Sequence, residues 1–128
     1  STQIAAVARA NYSMPPDHRA AIVQLILNDA ELRAAWDQEL ASMRDRINGL
    51  RVQLVRQLQT AGVDQDFSFI EREKGMFSFL GVGVDQVQSL VNDYSIYLVN
   101  SSRINVAGIN DENIVYLANS LKTVLETR

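Results

Sequence analysis

The feature that most constrains this chain is one sustained apolar stripe. Leu32, Trp36, Leu40, Met43, Ile47, Leu50, Leu54 and Leu58 follow one another at spacings of 4, 4, 3, 4, 3, 4 and 4. Residues three and four apart share one face of an α-helix, so the run predicts a single long helix. Asp29 precedes it as an N-cap, its carboxylate placed to accept from the first free backbone N–H groups. Gly62 closes it, because glycine takes the left-handed conformation at a helix end without a Cβ penalty. Gly49 inside the run costs ~1 kcal/mol of helix propensity. At ~1.5 Å per residue the helix is roughly 48 Å long. A compact domain of 128 residues has a radius of gyration of about 14 Å, hence a diameter near ~36 Å. A globule built from this chain alone cannot contain such a helix. It is either a coiled-coil arm or a strut joining two bodies, one of which this chain does not contain.

The segments on either side differ in kind. Residues 2–9 read as the end of a helix, and Ser1–Ala10 as an excerpt from a longer chain with no start methionine. Pro15-Pro16 then breaks the helix, since neither ring nitrogen can donate. Residues 17–28 read as helical and mostly buried. Beyond the long helix the pattern is mixed. The stretches 66–70 (DFSFI), 75–80 (GMFSFL), 96–100 (IYLVN) and 103–107 (RINVA) are strand-like in alternation and composition. A short helix is expected over Asp85–Tyr94. A closing helix is expected over 111–126, capped near Asn110 or Asp111. The predicted class is α/β, a long bridging helix plus a small two-layer α/β domain.

Composition excludes several functions. The chain has no cysteine and one histidine, His18. That rules out a disulfide scaffold, a thiolate zinc site, a thiol nucleophile and a multi-histidine metal centre within it. The net charge is −3 and no two Lys or Arg residues are adjacent, which argues against nucleic acid and anionic membranes as partners. No apolar run approaches the roughly 18 residues of a membrane span. The absence of cysteine fits a cytosolic protein.

Few residues carry chemistry on their own. P-loop, dinucleotide-binding, zincin and nucleophile-elbow motifs are all missing. Lys74 and Lys122 lie in polar surroundings, without the apolar setting that lowers a lysine pKa. Arg103 opens a strand-like run between apolar residues, where a guanidinium wants a carboxylate or phosphate partner; a solvated turn arginine is the alternative. Arg9 precedes the rigid Pro-Pro step, and is either placed by it or simply solvated. Ser13 caps a turn or binds phosphate. His18 reads as structural, and Trp36 as packing. Phe77 and Phe79 read as core, with one face available to line a pocket.

Taken in order, RANYSMPP (9–16), LNDAELRAAWDQELASMRDRI (27–47), DFSFI, GMFSF (75–79) and SSRINVAGIN (101–110) resemble the class I aspartate/aromatic amino acid aminotransferases of PLP fold type I. The match covers essentially the whole chain and corresponds to the family's C-terminal portion. It implies a cytoplasmic homodimeric transferase using pyridoxal 5'-phosphate, with 2-oxo acids such as 2-oxoglutarate as acceptors. It implies that residues 1–28 belong to a large cofactor domain, 29–62 to the interdomain helix and 63–128 to a small C-terminal domain. By the same resemblance Arg103 pairs with the substrate α-carboxylate and Phe77 helps wall the pocket. Arg9 binds a distal carboxylate in the neighbouring subunit's site, and Ser13 lies near that shared site. The Schiff-base lysine, the partner of the pyridine nitrogen and most phosphate ligands lie upstream, so this stretch alone is expected to be inactive. Three positions depart from the family pattern. Ser102 and Arg19 stand where glycine is usual, and Gly83 where a Ser/Thr cap is usual. If position 102 requires a positive φ, serine there costs energy or tilts Arg103. A reading from another class stays open: a non-catalytic module that dimerises through the long helix.

Overall fold

The long stripe forms one uninterrupted helix. In the computed structural model, which describes residues 2–12 and 17–126, it runs Ala30–Ala61 and is α3. Before it come α1 (Thr2–Tyr12) and α2 (Asp17–Asn28). After it come α4 (Phe69–Arg72), β1 (Phe77–Phe79), α5 (Val84–Tyr94), β2 (Arg103–Asn105), a 3-10 turn (Val106–Gly108) and α6 (Ile114–Glu126). Both predicted caps of α3 form. Asp29 Oδ1 accepts from the N–H groups of Glu31 (2.9 Å) and Leu32 (3.0 Å). At the far end Gly62 has φ +81°. Its N–H reaches the Gln59 carbonyl, and the Val63 N–H reaches that of Leu58, the bond pair of a Schellman closure.

Residue contacts divide the chain into two compact units, Ser1–Ser42 and Met43–Arg128. The stripe of α3 behaves differently in each. Trp36 and Leu40 are 43% and 46% exposed, whereas Leu54 and Leu58 are 0% and 1% exposed. The expectation that residues 17–28 are mostly buried is not met, since α2 has no buried residue. Its Ile22, Val23, Leu25 and Leu27 all remain exposed. A helix apolar on several sides needs a facing surface, and the described residues of the first unit do not supply one.

The second unit has a core. Leu50, Leu54, Val55 and Leu58 of α3 meet Leu80, Val87, Leu90, Ile104, Ile114 and Leu121. Its sheet is a two-stranded antiparallel ribbon with Phe77 opposite Asn105, Ser78 opposite Ile104 and Phe79 opposite Arg103. The helices α5 and α6 pack on each other, joined also by Tyr116 Oη donating to the Tyr94 carbonyl (2.8 Å). Asn110 caps the approach to α6, its Oδ1 accepting from the N–H groups of Glu112 and Asn113. Among the described residues no helix is long and apolar enough to cross a membrane.

Two of the four expected strands are absent. Over 66–70 the buried residues are Phe67 and Ile70, three apart, which is a helical interval. Asp66 starts the turn by accepting from the Ser68 N–H (2.8 Å) and hydroxyl (3.0 Å). Those bonds, the backbone one foremost, hold its carboxyl below the ordinary carboxylate range. Over 96–100 the alternation is real, with Ile96 and Leu98 half-buried and Tyr97 and Val99 exposed. No strand pairs with it, so the segment stays irregular: alternation selects a face, while a strand also needs a ladder partner.

Candidate functional site

The alternation of the ribbon decides which side chains face outward. Ser78 and Ile104 turn into the core, while Phe77, Phe79, Arg103 and Asn105 share the outer face. This corrects the expectation of Phe77 and Phe79 as core residues. With period-two geometry, burying Ser78 obliges both aromatic neighbours to face out. Across the ribbon the Arg103 guanidinium carbon stands 4.6 Å from the centre of the Phe77 ring. The two residues are diagonal neighbours, a distance that long and aromatic side chains span. A cation over an aromatic face at an exposed site gains about 0.5–1 kcal/mol. Among the described residues Arg103 has no ion-pair partner. Its planar donor fork is therefore held on one face by an aromatic ring and offered at its edge. A carboxylate, which accepts two parallel N–H bonds, is the ligand of matching geometry.

Ser102 sets the direction in which Arg103 leaves the chain. Its φ is +60°, so position 102 does require the left-handed conformation. Three bonds hold the residue there. Its N–H donates to the Val99 carbonyl (2.8 Å), its carbonyl accepts from Leu80 N–H (2.9 Å), and its Oγ accepts from Gly81 N–H (3.0 Å). The side chain is buried and offsets by hydrogen bonding part of the strain that a Cβ introduces. Ser102→Gly is therefore expected to leave stability nearly unchanged, because relief of strain and loss of the bond cancel. Ser102→Ala keeps the strain and loses the bond, and is expected to destabilise by about 1 kcal/mol. Urea midpoints of the three proteins decide the order.

Two arginines of α3 join those that the sequence singles out. Arg46 Nη2 donates to the carbonyls of Ala107 (3.5 Å) and Ile109 (3.3 Å), just beyond β2. Arg51 is 1% exposed and grips the approach to β1. Its Nη1 donates to the Ile70 carbonyl (3.1 Å), to Glu73 Oε2 (3.4 Å) and to the Ser78 hydroxyl; its Nη2 donates to the carbonyls of Gly75 (2.8 Å) and Phe77 (3.0 Å). A signal for its burial was present. Arg51 lies four residues from both Ile47 and Val55, on the flank of the stripe that enters the core.

The other expected residues are placed as follows. Arg9 is exposed in the last turn of α1, in the first unit. Ser13 lies outside the described residues. His18 and Arg19 are exposed on α2. Gly83 precedes α5 without a side chain to cap it, and Gln86 Oε1 accepts the Gly83 N–H instead (2.9 Å). Lys74 is exposed, and Lys122 is partly exposed with Glu126 at 3.7 Å. Neither lysine is desolvated, so neither fits the role of a carbonyl-condensing amine. No cluster of three or more potential metal ligands occurs among the described residues.

Comparison with known proteins gives consistent matches. The profile of the family described as Aminotransferase class I and II matches residues 1–121. Aspartate aminotransferases of Pseudomonas aeruginosa and Haemophilus influenzae are 45% and 48% identical over 124 residues, 97% of this chain. A crystal structure of an aromatic-amino-acid aminotransferase from Burkholderia pseudomallei, covalently bound to pyridoxal phosphate, superposes with a TM-score of 0.91 at 46% identity and covers 98% of this chain. The chain spans 31% of the length of each of these relatives.

Proposed function

The chain belongs to the class I and II aminotransferase family, and on that premise we propose that it is the C-terminal portion of a pyridoxal-phosphate-dependent aminotransferase. The whole protein would move an amino group between aromatic or dicarboxylic amino acids and a 2-oxo acid such as 2-oxoglutarate. The observation that carries this reading is the open guanidinium fork of Arg103 stacked on Phe77. In this reading Arg103 pairs with the carboxylate common to every amino acid substrate. Phe77 fixes the plane of the fork and walls the pocket. Arg9 takes the distal carboxylate of a dicarboxylic substrate in the neighbouring subunit's site of a homodimer, with Ser13 close to the same shared site.

Pyridoxal phosphate supplies the electron sink that such a reaction needs. The residues of this chain do not fit the anchoring of its aldehyde, because both lysines are solvated. That anchor is assigned to the remainder of the protein, and the contribution of this chain is recognition. The uncovered apolar residues of α2 and of the first half of α3 support a domain division in which 1–28 joins a large cofactor domain. In that division 29–62 is the interdomain helix and 63–128 the small domain.

Arg9→Ala in the full-length protein separates the two arginines. It is expected to lower kcat/KM for aspartate and glutamate by about 10²-fold, the scale of losing one charged hydrogen-bonded partner. Phenylalanine has no distal carboxylate and is expected to change by less than about 3-fold, within ordinary surface effects of ~0.5 kcal/mol. Equal losses on both substrate classes would overturn the assignment of Arg9.

A further inference from the structure

The proposed roles leave Arg51 unused, yet among the described residues of the second unit its side chain makes the most hydrogen bonds. We propose that Arg51 is a positioning residue for carboxylate binding, setting the Phe77 ring beneath the Arg103 guanidinium. This rests on reading Arg103 as the residue that pairs with the substrate carboxylate.

A buried guanidinium is expensive unless its donors are paired. Those of Arg51 are, apart from Nε. Its acceptors have one feature in common. The carbonyls of Ile70, Gly75 and Phe77, the Glu73 carboxylate and the Ser78 hydroxyl all belong to residues 70–78. This segment leads from α4 into β1. Between Ile70 and Ser78 it has little to hold it by packing. Glu71, Arg72, Lys74, Gly75, Met76 and Phe77 are exposed, and Gly75 takes a φ of +85°. Polar contacts must therefore place it, and Arg51 supplies five of them from the rigid helix α3. The Met76 carbonyl accepting from Val106 N–H (2.8 Å) adds a tie to the strand that carries Arg103.

The consequence for Phe77 is geometric. Arg51 holds the Phe77 carbonyl (3.0 Å) and the side chain of the next residue, Ser78, from inside. With those two groups fixed, strand geometry sends the Phe77 ring outward, where it meets Arg103 at 4.6 Å. Arg51 and Arg103 lie on opposite faces of the ribbon and act through the same phenylalanine. A lysine at position 51 would keep the charge, but a single ammonium cannot serve both arms of this acceptor set.

The test uses the full-length, cofactor-loaded protein well below its unfolding transition. Two carboxylates without an amino group, 3-indolepropionate and succinate, serve as competitive inhibitors. Arg51→Lys is expected to raise both Ki values and the KM for amino acids by about 10-fold, short of the ~10²-fold that misplacement by an ångström costs, with a smaller change in kcat. Made in a Phe77→Leu background, the same substitution is expected to add little, because the route through the ring is already gone. Unchanged Ki and KM, with only a lower melting temperature, would overturn the proposal and leave Arg51 as packing. So would fully additive effects in the double variant. Should Arg51→Lys fail to accumulate, Ser78→Ala decides: a Ki raised about 3-fold, as one hydrogen bond of ~0.6 kcal/mol gives, supports the proposal, and no change overturns it. An Arg103→Ala control with unaltered Ki would instead refute the carboxylate reading of Arg103 itself, an outcome distinct from the failure of Arg51 alone.

Discussion

Replacing Arg103 with alanine in the full-length protein is expected to lower kcat/KM for every amino acid substrate, aromatic and dicarboxylic alike, by about 10²- to 10³-fold. The magnitude follows from a paired guanidinium and carboxylate, whose truncation on one side costs roughly 2–5 kcal/mol. The uniformity follows from the ligand: the carboxylate beside the amino group is common to all of them. Arg103→Lys is expected to recover only a small part, since an ammonium is a point charge and cannot present two parallel donors or stack flat on Phe77. Steady-state kinetics on aspartate and phenylalanine, with kcat and KM resolved separately, check both statements. A loss confined to dicarboxylic substrates would move Arg103 to the distal carboxylate and sink the present assignment.

The second large effect concerns stability. Leu54 is 0% exposed, on the buried half of α3 and within the core of the second unit. Leu54→Ala is expected to cost about 3 kcal/mol, the sum of lost transfer energy and the cavity left behind. Leu40 lies on the same stripe but is 46% exposed within this chain. In the chain alone Leu40→Ala is expected to stay within ~1 kcal/mol, as surface substitutions do. In the full-length protein, where the interdomain reading places another domain over this face, it is expected to cost more than in the chain alone. Urea unfolding of the chain, its two variants, the full-length protein and its Leu40→Ala variant gives the comparison. Equal small effects of Leu40→Ala in both settings would contradict the interdomain reading of 29–62.

Much of the second unit was legible beforehand, for reasons particular to each element. The ends of α3 were readable because capping is local: Asp29 reaches N–H groups two and three residues away. Gly62 was readable because the closure needs a positive φ, which glycine takes freely. The helix of α5 was expected one residue short of its observed start at Val84. The strands were harder. The stretch 66–70 has aromatic residues at every second position, yet Phe67 and Ile70 are the pair that enters the core. At Phe77 the pattern is symmetrical between two outcomes. Alternation says that Phe77 and Phe79 share a face, not which one. In the fold Ser78 is the residue that turns inward, and its hydroxyl accepts from the Arg51 guanidinium there.

The same division runs through the candidate site. Arg103 at the opening of a strand, and the position of Ser102 before it, were both readable from residues near one another in the chain. So was the helical stripe, whose period is a property of one segment alone. What required the tertiary structure was every feature that depends on a partner far along the chain. Phe77 lies under Arg103, 26 residues away in sequence, only because the ribbon pairs them in one register. Ser102 is tolerable at φ +60° because Gly81 N–H is there to meet its hydroxyl. Arg51 is buried because five acceptors converge on it from the segment entering β1. Spacing along a chain fixes which side chains share a face. Which face is covered, and by what, is settled only when distant segments bring their own donors, acceptors and apolar surface to it.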